Sequence, residues 1–476
     1  MAQLPVPRRP GPEPVLTDLG DGSAWAIPSL PDAPRDVLRT LHEAGHEAAL
    51  VGGCLRDLLL GHEPGDWDVA TAAPPETVHA LFSGSWWANR FGTVTIPGPQ
   101  PVQITTYRTE WGYRDRRRPD EVVFHGSLAD DLARRDFTIN AIAWLPDDPA
   151  TSVTGRLVDP HGGVADLRAG VIRAVGDPGE RLREDALRIL RAVRFAARFD
   201  FEIEPATAAA LTENAGHVAE LSAERVRDEL LRLLADPVIR PSAALARWEE
   251  IGILEILLPE LAALRGVAQG KPLPGDALDH SLRTADVLPP DDPILRLAGL
   301  LHDVGKAPTE ADGHFIGHER VGATLAGAVM RRLRFGSPEI ARVERLVRHH
   351  MFGYDATWTD AAVRRFIRRV GADLLDDLFA LRAADNAASG VVEPEVGGLD
   401  ELRRRTEAER AAPAVGGGLA IDGTVLQQAL DIPPGPEIGR LLDRLTEAVI
   451  DDPRLNEPER LVALARALHA GQDRTR

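Results

Sequence analysis

Residues 51–71, VGGCLRDLLLGHEPGDWDVAT, decide how the rest of the chain is read. The apolar run Ala48 to Val51 leads into them as a buried strand, which Gly52 and Gly53 end. Cys54 to Leu60 follows as a short apolar helix carrying Arg56 and Asp57. Asp66 and Asp68 then flank Trp67. Strand side chains alternate between faces, so aspartates two residues apart point the same way. Two adjacent carboxylates repel unless a cation sits between them. Hard oxygen ligands suit Mg²⁺, which completes its shell with phosphates and water. Paired glycines allow close backbone approach, and the helix start behind them offers free N–H groups to an anion. Asp-x-Asp alone is most often a surface turn. With Gly-Gly-x-x-Arg-Asp ahead of it, it is the equipment of phosphoryl or nucleotidyl transfer.

Further motifs lie outward from this stretch. Val102 to Arg108, VQITTYR, reads as a second strand with Gln103 near its start. A polar loop, Thr109 to Glu121, carries Tyr113, Asp115 and Arg117 among other arginines. Asp131 to Ala141 reads DLARRDFTINA. Its Arg134 and Arg135 suit bidentate phosphate contact, and Asp136 can accept from a ribose hydroxyl. Glu184-Asp185-x-x-Arg188 opens a long amphipathic helix, and Asp185 and Arg188, three apart, share a face of it. A carboxylate only accepts hydrogen bonds and a guanidinium only donates them. Cytosine and adenine place an amino donor beside ring acceptors; uracil and guanine place a carbonyl beside a ring N–H. The pair suits C and A without a template. Leu221 to Leu230, LSAERVRDEL, reads as a supporting helix with Ser222 as its N-cap. His280, His302-Asp303 and Asp385 are ligand types that suit a divalent metal ion.

In this order the motifs resemble those of the class II tRNA CCA-adding enzymes and bacterial poly(A) polymerases, across residues 35–470. The resemblance implies an α+β chain. A polymerase-β-like nucleotidyltransferase head, a small mixed sheet with helices, precedes an all-α neck and body, a helical HD domain and a helical tail. It implies a two-metal Mg²⁺ site on Asp66 and Asp68. Gln103 stands where the family usually has a third metal carboxylate; its amide oxygen can ligate but carries no charge. Gly52, Gly53, Arg56, Arg134, Arg135 and Asn140 would bind the nucleotide with Asp136 at the ribose, and Asp185 with Arg188 would read the base. Tyr113, Asp115 and Arg117 match a loop that helps switch selection from C to A. His280, His302, Asp303 and Asp385 match the HD signature, with His318, His349 and His350 where two-metal members place further ligands. A metal-bound water there implies phosphoester hydrolysis as an additional activity. Residues 419–439 resemble a tail that grips the upper tRNA arm. The expected substrates are CTP, ATP and a tRNA 3′ end. An A-only tRNA enzyme, a poly(A) polymerase, and an HD phosphohydrolase with an RNA-binding head remain as alternatives.

Composition sets bounds. The chain has 476 residues, 44% of them apolar, and a net charge of −18, which argues against uniform coating of nucleic acid. Local basic islands, at residues 114–118, 181–198, 331–348 and 364–369, are then the expected RNA contacts, the third reading better as a solvated helix face. Only Lys271 and Lys306 are lysine. The one cysteine, Cys54, rules out an intrachain disulfide and suits a cytoplasmic location. No apolar run approaches the ~18 residues of a membrane span, and the proline-rich N-terminus lacks a secretory h-region. The expected organisation is a flexible tail (1–30), the head (31–175), a neck and RNA-binding body (176–265), the HD domain (276–390) and a tail domain (391–476).

Overall fold

The structure, a computed structural model, describes residues 19–87, 92–111, 121–123, 126–149, 153–391, 397–410 and 418–473. Two units partition the chain: Met1–Glu229 with Ala246–Leu257, and Leu230–Leu245 with Leu258–Arg476.

The first unit is built on an eight-stranded mixed sheet. Its first six strands in sequence are β1 (Ala24–Ala26), β2 (Ala48–Val51), β3 (Trp67–Thr71), β4 (Trp86–Trp87), β5 (Thr93–Ile96) and β6 (Val102–Thr106). Two short strands, β7 (Thr109–Trp111) and β8 (Glu121–Val123), form a sheet of their own. The main sheet resumes with β9 (Ala143–Pro146) and β10 (Thr154–Val158), giving the order β1-β10-β9-β2-β3-β6-β5-β4. All four residues of β2 are buried, which is why it reads as an unbroken apolar run rather than an alternation. β3 runs parallel to β6 and antiparallel to β2. The unit's helices include α1 (Asp32–Glu43), α2 (Gly53–Leu59), α3 (Pro75–Leu81), α4 (Leu128–Ala133), α5 (Gly163–Ala169), α6 (Pro178–Glu184) and α7 (Leu187–Phe199).

Three local expectations need correction. Residues 24–26, assigned to a flexible tail, form β1 against β10 and bury Trp25. The prolines around them hid a three-residue edge strand. The arginine-rich loop begins and ends as β7 and β8. The helix expected from Leu128 through Asp136 stops at Ala133, and Arg134 to Asp136 lie between it and the 3₁₀ turn Thr138–Asn140.

The second unit is helical. Leu278, Leu297, Leu300, Leu346 and Leu381 are all fully buried, on the helices Ala277–Val287, Pro293–Leu301, Ser337–His349 and Leu375–Ser389. A separate core near its end joins Leu426, Leu441, Leu445, Val449 and Leu461. Among the described residues, no helix is long and apolar enough to cross a membrane.

The basic islands are largely neutralised from within. In the second, Arg194 pairs with Glu229 at 2.5 Å and Arg191 with Asp136 at 2.6 Å. In the third, Arg331, Arg332, Arg342 and Arg345 each meet carboxylates, as a helix face of paired charges would. In the fourth, Arg364 is buried against Glu409 and the Ile450 carbonyl. These arginines hold helices together, and the first island lies outside the described residues.

Candidate active site and metal centre

The first site forms where β3 begins. Trp67 turns into the core, so its neighbours Asp66 and Asp68 turn the other way, Asp66 exposed and Asp68 half-buried. Burial and then the charge of Asp66 push the Asp68 carboxyl up to about 6, with Arg135 and Arg56 pulling it back. Asp68 lies in register with Gln103 of the parallel strand β6, so the amide stands beside it. Two carboxylates and an amide, all oxygen donors held in mutual repulsion, fit a hard divalent cation.

Gly52 sits at the end of β2 with φ of 77°, a conformation that favours glycine. A Cβ placed there would lie 2.5 Å from Nη1 of Arg135. Arg135 is aimed by the fully buried Asp131, whose Oδ2 accepts from its Nε and Nη2. Arg134 pairs with the other oxygen of the same carboxylate. Arg56 is only 5% exposed: Asp57 Oδ1 accepts from its Nε and Nη2, and Asn140 Oδ1 from its Nη1 at 2.7 Å. Its guanidinium also faces the rings of Phe195 and Phe199. Arg56 is therefore a strut that ties α2 to the 3₁₀ turn. Asn140 passes the tie on by donating to Asp136 at 3.0 Å. Burial alone would raise the Asp136 pKa, but Arg191, Asn140 and Arg188 hold its carboxyl well below the usual range. Arg191 is a partner the sequence reading did not single out; it lies one turn beyond Arg188 on α7, the only cue available.

The pair expected to read the base, Asp185 and Arg188, is arranged differently from expectation. Asp185 and Arg188 do not share a helix face, because the helix breaks at Asp185, between α6 and α7. Asp185 has extended backbone angles, and its carboxylate caps the Leu187 N–H. Its other oxygen accepts from Arg225 at 2.6 Å. Arg188 donates to Glu184 and the Arg181 carbonyl at 2.6 Å each, and to the Arg134 carbonyl at 3.0 Å. Each member is held by its own partners. Arg225, read as part of a structural helix, fixes the Asp185 side chain. Tyr113, Asp115 and Arg117 lie outside the described residues.

The second site lies in the second unit. His280 Nε2 is 3.2 Å from His302 Nε2 and 3.1 Å from Asp385 Oδ1. Asp303 faces both histidines through Oδ2, at 3.6 and 3.2 Å. Its Oδ1 faces His318 and His350 at 3.5 and 3.7 Å, and the Nε2 atoms of these two are 3.3 Å apart. Two triads, His280-His302-Asp303 and Asp303-His318-His350, thus share one carboxylate. His302, His318 and His350 each donate from Nδ1 to a backbone carbonyl at 2.7 Å, which leaves Nε2 as an acceptor. Burial pushes His280 down to about 4, which keeps it neutral near pH 7. Asp303 Oδ2 is buried without an aligned hydrogen-bond donor, although Lys306 Nζ lies 2.6 Å away. Lone pairs facing lone pairs around an orphaned oxygen fit one or two metal ions. His349, expected among the ligands, is not part of either triad; it is the last residue of its helix, and its neighbour His350 turns inward instead. Lys271 and Gln269, which the sequence reading did not place here, also face this centre, and a cavity of about 550 Å³ opens onto it.

Comparison with known proteins agrees with this geometry. Residues 48–173 match the Poly A polymerase head domain, 200–264 the probable RNA and SrmB-binding site of polymerase A, and 277–390 the HD domain. An A-adding tRNA nucleotidyltransferase of Deinococcus radiodurans is 35% identical over 84% of this chain and 91% of its own length. A CCA-adding enzyme of Levilactobacillus brevis is 34% identical over 92% of this chain and 98% of its own. The crystal structure of the Bacillus stearothermophilus CCA-adding enzyme in complex with CTP superposes with a TM-score of 0.68 at 28% identity, covering 93% of this chain and 98% of that one. With a polymerase head carrying the paired aspartates and an HD domain carrying the histidine triads, the chain belongs to the CCA-adding enzyme family of nucleotidyltransferases.

Proposed function

We propose that this protein extends tRNA 3′ ends without a template, adding CMP and then AMP, in the cytoplasm. The observation that carries the reading is the pair Asp66 and Asp68, close enough for one charge to raise the other's pKa, beside the Gly52–Arg135 cradle. Asp66 and Asp68, with Gln103 alongside, would hold Mg²⁺, which when bound activates the attacking hydroxyl and steadies the departing pyrophosphate. Arg135, aimed by Asp131, would contact the triphosphate. Asp136 is kept ionised by Arg191 and is available to a ribose hydroxyl. Asp185 would accept from the amino group of cytosine or adenine, and Arg188 would donate to the adjoining ring acceptor. Because Arg225 and Glu184 already hold these two side chains, the site selects between bases with little reorganisation.

The relatives divide between CCA addition and A addition at nearly equal identity, so the first experiment separates these. The purified protein is incubated with tRNA ending at the discriminator base or at CC, with labelled CTP or ATP. Incorporation of CMP on the first and AMP on the second is expected. AMP on tRNA-CC alone would reassign it as an A-adding enzyme, and extension of oligo(A) as a poly(A) polymerase. Asp68→Asn should abolish every incorporation.

The second site supports an additional activity on phosphate esters. When bound there, a divalent ion supplies a hydroxide nucleophile near neutral pH. Lys306 and Arg382 line the same cavity and would take the phosphate. Release of phosphate from nucleotide esters should survive Asp68→Asn and be lost with Asp303→Ala.

A further inference from the structure

The two triads are not equivalent, and a lysine separates them. In the second triad, Asp303 Oδ1 and the Nε2 atoms of His318 and His350 converge as three acceptors. Among the described residues, no hydrogen bond or ion pair brings an ammonium or guanidinium group to any of the three atoms. The first triad already holds a cation. Lys271 Nζ lies 2.7 Å from His280 Nε2, 3.2 Å from Asp385 Oδ1 and 3.9 Å from Asp303 Oδ2. An ammonium can only donate, so His280 Nε2 accepts from it. An imidazole nitrogen has a single lone pair in the ring plane. His280 Nε2 can bind a metal ion or accept from Lys271, but not both.

Residue choice points the same way. Of the chain's 55 basic residues only Lys271 and Lys306 are lysine, and both Nζ atoms lie within 4.0 Å of Asp303 Oδ2. A guanidinium is a planar fork that wants acceptors side by side. An ammonium is a compact point charge, the organic group nearest in shape to a metal ion. Around Asp303 itself the chain uses lysine, while the arginine at this centre, Arg382, meets Asp385 through its other oxygen, Oδ2.

Resting on the reading of this domain as a metal centre, we propose that Lys271 is the resident cation of the His280-His302-Asp303-Asp385 pocket. The domain then binds one divalent ion tightly, at Asp303, His318 and His350. It admits a second only when Lys271 withdraws. The first pocket, which carries the HD signature, becomes the conditional one.

The test uses the full chain with Asp66→Asn and Asp68→Asn, to silence the head, and Mn²⁺ as the probe. Metal content is measured after equilibrium dialysis, and the bound ions are read by electron paramagnetic resonance. One Mn²⁺ per chain with the six-line spectrum of an isolated ion is expected. Adding Lys271→Met should give two per chain, a spin-coupled spectrum, and second-site affinity raised roughly tenfold or more by removal of the competing charge. Lys271→Arg should also admit the second ion, since a guanidinium cannot take the same position; it serves as a second variant should the methionine form fail to fold. His350→Ala should remove the single ion from the parent chain, and His280→Ala should retain it. Two equally tight ions with Lys271 intact, or a second site unmoved by both Lys271 variants, would overturn the proposal while leaving the metal centre standing. Retention with His350→Ala and loss with His280→Ala would place the tight site in the wrong pocket and overturn it too. No bound Mn²⁺ in any form would overturn the metal centre itself.

Discussion

At the scale of single residues, the head site depends on two positions with opposite histories in the sequence. Gly52 was legible: a glycine pair ending an apolar strand calls for close backbone approach, and the positive φ and the nearness of Arg135 bear that out. Gly52→Ala meets two penalties. The backbone at φ 77° and ψ −129° lies outside the wells open to a residue with a Cβ and costs about 1–3 kcal/mol, and that Cβ displaces the Arg135 guanidinium. Nucleotide incorporation should fall by tenfold or more, with a raised KM for the nucleotide, while circular dichroism shows a folded chain. Gln103 was legible only as a departure from a family pattern. Its register beside Asp68 gives the departure a physical consequence. Restoring a charge with Gln103→Glu adds a third anionic ligand next to a pair already in repulsion. The Mg²⁺ concentration for half-maximal incorporation should drop several-fold, because the empty site gains repulsion that only a cation relieves. An unchanged Mg²⁺ dependence would mean that Gln103 does not reach the ion.

At the scale of elements, the sequence displayed what periodicity and punctuation encode and hid what tertiary partners decide. β2, α2 and β3 were readable because a glycine pair and an Asp-x-Asp bracket them within about twenty residues. The break between α6 and α7 was not. Residues 180–199 carry an amphipathic pattern throughout, and nothing local announces that Asp185 leaves the helix to cap Leu187 and meet Arg225, forty residues away. The second and fourth arginine islands misled for the same reason, since a run of arginines looks alike whether it faces RNA or a distant carboxylate. In the second unit, the element that sets the metal centre is the turn after the helix Pro293–Leu301. A Cβ on Gly305 would drive into the backbone carbonyl of His318 and the backbone of Gly322. No side-chain rotation relieves a clash with backbone. Gly305→Ala must therefore separate His302-Asp303 from the helix His318–Arg332. The expected outcome is a chain that still adds nucleotides and that, once Asp66→Asn and Asp68→Asn are added to silence the head, holds no bound Mn²⁺. Dialysis and metal analysis check this, with incorporation by the head as the internal control for folding.

At the scale of the whole molecule, the two candidate sites reside in separate units, and the partition predicts how far a change in one is felt in the other. The paired aspartates and their arginines all belong to the unit Met1–Glu229 with Ala246–Leu257, and both histidine triads belong to Leu230–Leu245 with Leu258–Arg476. Each site is also closed on its own partners: Asp136 on Arg191, Asp185 on Arg225, and Asp303 on Lys306 and the histidines. Substitutions that share no partner add, to within a few tenths of a kcal/mol. Asp303→Ala should therefore leave kcat and KM for CMP incorporation within about twofold of the parent, roughly 0.4 kcal/mol in barrier terms. Asp68→Asn should leave the Mn²⁺ stoichiometry of the second unit unchanged. The double variant should lose both functions, with each single defect unaltered by the other. Incorporation that falls tenfold or more with Asp303→Ala, in a chain whose melting shows the first unit intact, would reveal coupling between the units and require that a ligand at one site change the state of the other.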